Sequence, residues 1–188
     1  MTVGPPTSAV TVVVTVIVIA SCLVQAGIKL FPDAAITIAM PDGDQVRAAA
    51  IAERDPERAE ARRRRFPNPL SRQYMHGTAI LERRLIDMPD VEAETTGPLA
   101  LGAKNFLPSG YRAITIMPMI RGDEAIGAIS VIRLASGPLS AKQIGLLRTF
   151  ADQAVIAIEN VRLFDEVQAR TRELSQSVEE LRALGEVG

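Results

Sequence analysis

The sequence predicts an α+β fold, in which an antiparallel β-sheet is flanked by helices and a long C-terminal helix extends beyond the sheet as a coiled coil. Three observations support this fold class. Two pairs of apolar runs are each joined by a short polar turn, helical patterns lie around these pairs, and no proline interrupts the stretch from Ala141 to Leu184. At 1.5 Å per residue, a helix of that length measures about 65 Å, which exceeds the width of a domain of this size.

Composition limits the possible functions. The chain has 188 residues, enough for one domain with appendages, and its 21 basic and 22 acidic residues leave a net charge of −1. With neither a basic surplus nor a tryptophan, and with only seven other aromatic residues, a nucleic-acid-binding role is not expected. The single cysteine, Cys22, cannot form an internal disulfide, which favours a reducing, cytoplasmic location.

The N-terminal segment, residues 1–27, is apolar and carries no charged side chain. Two interpretations fit it. It is either the first helix of the domain or a membrane span over residues 9–27, which would anchor the chain to the inner membrane and leave the domain in the cytoplasm. A misassigned start is a third possibility. The segment is apolar all round and rich in β-branched residues, which is unusual for a packed surface helix.

The first hairpin follows this segment. Ala34–Met40 and Gln45–Ala52 are predicted strands, and the Asp42-Gly43 pair between them is a strong hairpin signal. A charged stretch with a short helix comes next. Leu70–Arg84 is then predicted to be helical in two parts with Ser71 as N-cap, and a short strand follows at Leu85–Met88.

The second hairpin lies after a long loop at Val91–Gly110, a length that often marks a functional segment. Its predicted strands are Tyr111–Ile120 and Ala125–Leu134. Pro118 cannot donate a ladder hydrogen bond, so it predicts a sheet edge or a bulge. Ser140 is the expected N-cap of the final helix.

The second half of the final helix contains a heptad repeat. Apolar residues recur at spacings of three and four, with one polar exception; we call these six positions the seam: Phe164, Val167, Thr171, Leu174, Val178 and Leu181. This spacing predicts a parallel homodimeric coiled coil over residues 164–188, after a globular body at 28–163. The alternative, an amphipathic helix that folds back on its own domain, would need a chain break, and no proline follows Pro138.

Few residues offer catalytic or metal-binding chemistry. His76 is the only histidine, which excludes a multi-histidine metal site, and we expect it to be a partly exposed residue at a helix end. Arg62–Arg65 form the main basic cluster, with acidic residues nearby, and a solvated surface of ion pairs is expected. No catalytic motif is present, and no motif requires a cofactor or a metal.

Three segments together resemble the GAF domain, a small-molecule-binding and signal-relay module of bacterial signalling proteins. They are His76–Val91 (HGTAILERRLIDMPDV), Tyr111–Leu134 and Leu139–Val167, and the resemblance covers about Ile28–Val167. The tail Gln168–Leu184 resembles the linkers that join such domains to a histidine kinase, a cyclase or a second GAF domain. The resemblance therefore implies a sensory module that is not itself an enzyme and acts on a downstream partner.

The resemblance also implies a place for a ligand, in a cup over the sheet walled by Leu70–Arg84 and Val91–Gly110. Within these bounds Tyr74, His76 and Phe106 are the candidate ligand-binding residues. The family's nucleotide signature is not met at Lys104-Asn105-Phe106, and no cysteine for a covalent bilin lies there, so the ligand is unknown. Two alternatives stay open: a regulatory fragment of a histidine kinase or cyclase, and a ligand-free dimerisation module.

Overall fold

The computed structural model describes residues 7–94 and 96–185. It contains five α-helices, at Thr7–Leu30 (α1), Pro56–Arg63 (α2), Met75–Glu82 (α3), Ala100–Phe106 (α4) and Ala141–Gly185 (α5). Six strands lie at Ala34–Asp42 (β1), Gln45–Ala52 (β2), Asn68–Pro69 (β3), Ile86–Met88 (β4), Ala113–Arg121 (β5) and Glu124–Arg133 (β6). The predicted α+β class with a long C-terminal helix is confirmed.

All six strands form one antiparallel sheet in the order β3-β2-β1-β6-β5-β4. Both predicted hairpins are present, as β1–β2 and β5–β6, and they meet through the pairing of β1 with β6. Pro118 lies on β5 beyond Ile116, the last residue that pairs with β4, so one side of the strand is an open edge at this position, while Ala128 of β6 pairs with Pro118 on the other. The register of β5 shifts one step later, between Met119 and Ile120.

One face of the sheet is covered by α1 and α5. Ala20, Val24 and Ile28 recur every fourth residue along α1 and are buried in this core with Ile36 and Ile38 of β1. The later part of the apolar N-terminal segment, from Ala20 onwards, therefore packs on the sheet. In the part of the chain that the structure describes, no helix combines the length and the apolar character that crossing a bilayer requires.

The opposite face is covered by α2, α3, α4 and the loops that join them. Its core includes Ala79 and Ile80 of α3, Phe106 of α4, and Ile114 and Ile116 of β5. Alternate residues of the central strands therefore serve two separate cores, as the two-residue period of a strand requires. This second face carries the candidate site.

α5 spans 45 residues, about 68 Å at the helical rise. Its N-terminus is capped as predicted: the Ser140 hydroxyl accepts from the Gln143 N–H at 3.2 Å, and the Gln143 side chain accepts from the Ser140 N–H at 2.9 Å. Ile158 is the last buried residue of the helix, and every residue from Arg170 to Gly185 is exposed. The helix thus leaves the domain without contact to the rest of the described chain along its final turns.

The predicted two-part helix at Leu70–Arg84 is wrong in its first part. Only Met75–Glu82 is helical, and Tyr74, not Ser71, is the N-cap residue. Residues 70–74 form turns that fold back over α3, where the Thr78 hydroxyl donates to the Arg72 carbonyl at 2.9 Å. The tertiary contact with these turns outweighs the helical propensity of the segment.

Candidate functional site

A small cavity of about 40 Å³ lies between the sheet and the layer formed by α2, α3 and α4. The three residues predicted from sequence, Tyr74, His76 and Phe106, all line it. The remaining lining residues come from all three helices, from the segment after α2 and from β5: Arg62, Arg65, Phe66, Asn68, Met75, Gly102, Asn105 and Ile114. The structure thus brings the predicted residues together and adds an unexpected pair of arginines.

Helix α2 positions the first arginine. The Asp55 carboxylate caps the helix by accepting from the N–H groups of Glu57 and Arg58, and Pro56 occupies the first turn. Ala59 and Arg62, three residues apart, then share the face that is buried against the domain. Arg62 is 2% exposed, so the expectation of a solvated arginine cluster is wrong at this position.

The other arginines of the cluster behave differently. Arg63 and Arg64 pair with Glu60 at 3.7 and 3.1 Å on the exposed side of α2. They form the expected solvated ion pairs. The helical period therefore splits one run of arginines between solvent and the protein interior.

The Arg62 guanidinium lies between two aromatic rings, 5.8 Å from the centroid of Phe66 and 5.9 Å from that of Phe106. Its Nη2 donates to the Thr37 hydroxyl at 3.2 Å, while its Nε has no hydrogen-bond partner among the described residues. Burial, and to a smaller extent the charge of Arg65, lowers the pKa of Arg62 to about 9. The guanidinium therefore still carries its positive charge at neutral pH.

His76 occupies the second position of α3 and is 7% exposed, which corrects the expectation of a partly exposed histidine at a helix end. Its Nε2 lies 3.2 Å from the Ser130 hydroxyl, and its ring stands edge-on to Phe66. The tautomer of the ring sets the direction of this hydrogen bond, and the same Ser130 hydroxyl lies 3.5 Å from the Thr37 carbonyl oxygen. Burial, and then the charge of Arg62, lowers the pKa of His76 to about 3, and the ring is neutral at physiological pH.

Thr37 and Ser130 form the polar floor beneath the two cavity side chains. They face each other across the β1–β6 pair and are fully buried. One anchors Arg62 and the other anchors His76. Two short polar side chains in the middle of apolar strands thus hold both ionisable groups in place.

Two close backbone contacts position α3 and α4 beside the cavity. Gly77 of α3 leaves no room for a side chain, since a Cβ there would lie 2.3 Å from the Ser71 carbonyl oxygen. Gly102 of α4 donates its N–H to the Gln73 carbonyl at 3.0 Å. The Asn105 amide then donates to the Tyr74 hydroxyl at 3.3 Å and joins α4 to the start of α3.

Sequence reasoning missed Arg62 and Arg65, although the sequence contains a signal for the first. Ala59, Arg62 and Phe66 follow one another at helical spacings of three and four, which places Arg62 between two apolar residues on one face. Because most residues of this segment are charged, the segment as a whole is typical of a solvent-exposed surface, and the apolar spacing is easily overlooked. Among the described residues no group of three or more His, Cys, Asp or Glu side chains could hold a metal ion, and Cys22 is exposed on α1.

Comparisons with solved structures identify the fold. The blue-light absorbing form of the Thermosynechococcus elongatus PixJ GAF domain matches with a TM-score of 0.69 at 14% identity, over 87% of this chain and 96% of that one. A methyl-accepting chemotaxis protein, residues 122 to 287, matches with a TM-score of 0.63 at 19% identity, over 79% and 92%. Type II free methionine-R-sulfoxide reductase from Thermoplasma acidophilum matches with a TM-score of 0.62 at 13% identity, over 80% and 96%. At these identities the likeness shows the fold alone.

No curated protein matches the chain by sequence. The GAF domain family matches residues 16–158, most of the chain, in a range that runs from within α1 to the last buried residue of α5. The family model spans well over half of the chain and the solved GAF domain shares its fold, so the chain belongs to the GAF domain family.

Proposed function

We propose that this chain is a cytoplasmic sensory module that forms a parallel homodimer through α5 and relays a signal from its cavity to a downstream effector. The effector would be a histidine kinase, a cyclase or a second GAF domain. The observation that carries the proposal is the exposed seam on a helix that leaves the domain. Phe164 is 63% exposed and Leu174 67% exposed, values that a helix acting alone in water does not favour for large apolar side chains.

The heptad positions support pairing between two copies. Val167, Val178 and Leu181 are exposed along the same stripe as Phe164 and Leu174. Phe164, with Val161, Asp165 and Gln168 beside it, lies along a groove shared with Thr15 and Ile19 of α1. Phe164 nevertheless stays 63% exposed, and the later seam residues do not line this groove, so the seam remains available to a second copy.

Helix α1 adds apolar surface beside the seam. Val14, Ile17 and Val18 are exposed on it, and Ile156 and Leu163 are exposed on the adjoining part of α5. A short coiled coil is only marginally stable by itself, so a contact that continues along α1 would strengthen the dimer. Pairing of the two helices with those of a second copy would give a four-helix contact.

Leu174→Glu tests the dimer. The substitution places two carboxylates at facing d positions and removes two buried leucines, a loss of about 3 kcal/mol or roughly 100-fold in the dimer dissociation constant. Sedimentation equilibrium should give a dimer for the wild type and a monomer for this variant at the same concentration.

Gln176→Glu is the matched control. It adds the same charge at an f position two residues away, on the outer side of the predicted coiled coil, and should sediment as the wild type does. Equal dimerisation of both variants would show that the seam is not the interface.

A further inference from the structure

We propose that the cavity binds a small carboxylate anion, held by the Arg62 guanidinium between the rings of Phe66 and Phe106. This inference rests on the proposed sensory function, to which it adds the chemical class of the ligand. It starts from a buried cation whose hydrogen-bonding capacity is largely unused. Arg62 has five N–H donors, and the described residues provide one hydrogen bond to it, from Nη2 to Thr37.

The described part of the chain places no counter-charge within ion-pair distance of Arg62. Within the described residues Arg62 forms no ion pair, and Glu53 is the carboxylate whose charge reaches it. The Glu53 carboxylate is itself engaged, because it accepts a hydrogen bond from the Tyr111 hydroxyl and pairs with Arg58 at 3.6 Å. A buried charge without a partner is costly, and an anion from solution would offset that cost.

The cavity lining has one sign of charge. Arg62 and Arg65 are its charged side chains, His76 is neutral, and no carboxylate of the described residues lines it. The Nε of Arg65 also has no hydrogen-bond partner among the described residues. Asn68 and Asn105 add amide groups that can donate to an anion. The site therefore favours a negative ligand over a neutral or positive one.

The size of the cavity and the shape of the guanidinium limit the chemical class of the ligand. A cavity of about 40 Å³ has room for roughly three water-sized groups. A carboxylate of the size of acetate fits this space, whereas most of a nucleotide would extend beyond it. A planar carboxylate also matches the fork of N–H groups on a guanidinium, which binds both oxygens at once.

Acetate is the probe, and acetamide, its neutral analogue of nearly equal shape, is the ligand control. Acetate at ten times its dissociation constant should raise Tm by about 3–6 °C for a chain of this length. Acetamide, and sodium chloride at matched ionic strength, should leave Tm unchanged. An equal shift with acetate and acetamide would overturn the proposal.

Arg62→Met and Arg63→Met provide the protein comparison. They make the same change one residue apart on α2, but Arg63 is exposed and lies outside the cavity. Arg62→Met should lose the acetate shift and Arg63→Met should keep it. If Arg62→Met fails to fold, Arg62→Lys is the variant to test. A lysine keeps the positive charge but lacks the two parallel N–H groups of the guanidinium, so acetate binding should weaken about 10-fold or more. Retention of full binding by either Arg62 variant contradicts the proposal.

The failure of this inference is distinguishable from the failure of the sensory function. Binding of acetate through Arg62 with no change in dimerisation would support the ligand class and contradict the relay. Loss of the dimer in Leu174→Glu, without any acetate shift in the wild type, would support the seam and overturn the ligand class.

Discussion

At the level of single residues, the cavity depends on two buried ionisable side chains, one of which is charged while the other is neutral. Arg62 stays charged, and His76 is neutral because burial and the charge of Arg62 disfavour its protonated form. Both are tied to the sheet through the facing pair Thr37 and Ser130. An exposed position would impose neither the charge state nor the orientation.

The neutral state of His76 predicts a specific pH dependence of stability. Its pKa is about 3 in the folded chain, against 6.5 for an unperturbed histidine, so the unfolded chain binds more protons between these values. Stability is therefore fully present above about pH 6.5 and falls as the pH decreases. From pH 7.5 to 5.5 this histidine should lower the free energy of unfolding by about 1.4 kcal/mol.

Urea denaturation of the wild type and of His76→Gln at pH 7.5, 6.5 and 5.5 measures this effect. The variant should lack the histidine contribution, so the stability difference between the two proteins should change with pH over this window. Carboxylates titrate mainly below it and affect both proteins alike. Parallel pH profiles would mean that His76 titrates normally and is not buried.

At the level of elements, two helices use glycine for different reasons. In α3, Gly77 allows the turn at Ser71 to approach the helix backbone, which sets the position of Tyr74 and His76 at the cavity. In α5, Gly145 is exposed and has no atom within 4 Å of the place where a Cβ would lie. The same substitution should therefore have opposite effects in the two helices.

Gly77→Ala should destabilise the protein by about 2–4 kcal/mol, because its Cβ would overlap a backbone carbonyl that cannot move independently. Gly145→Ala should stabilise it by about 0.5–1 kcal/mol through helix propensity. Chemical denaturation of both variants beside the wild type gives the two values. Similar stability of Gly77→Ala and Gly145→Ala would show that α3 does not pack closely on the Ser71 turn.

At the level of the whole molecule, the cavity and α5 lie on opposite faces of one sheet. The central strands contact both, because alternate residues of β1, β5 and β6 enter the two cores. An ion pair of 2.8 Å between Arg121, at the end of β5, and Glu159 joins the second hairpin to α5, and it raises the pKa of Arg121 and lowers that of Glu159. The proposed relay from the cavity to α5 would therefore have to cross a sheet only one layer thick.

Coupling between the two faces would be reciprocal. Because a dimer carries two acetate sites, saturating acetate changes the dimer dissociation constant by the square of the factor by which dimerisation changes the acetate dissociation constant of each site; coupling factors of about 5–150 are typical. We expect saturating acetate to shift the dimer dissociation constant in sedimentation experiments. The monomeric Leu174→Glu variant should bind acetate with an affinity that differs from that of the wild-type dimer by the square root of this shift; equal affinities would mean that the cavity does not signal to the seam.

Sequence patterns were sufficient to define the elements that depend on local interactions. Both hairpins, the capped start of α5, the open-edge position of Pro118 and the α+β class follow from turn residues, strand alternation and helical spacing. Three cavity residues, Tyr74, His76 and Phe106, were also found from sequence, through the resemblance to the family.

The effect of burial on each side chain emerged only from the tertiary fold. The fold turned Arg62 from one member of a charged run into a buried cation, made His76 an interior residue, and placed the later part of the apolar N-terminal segment on the sheet. These outcomes depend on contacts between residues far apart in sequence, such as Arg62 with Thr37 and His76 with Ser130. Local patterns do not encode such contacts, because the cost of burying a charge depends on which distant elements close over it.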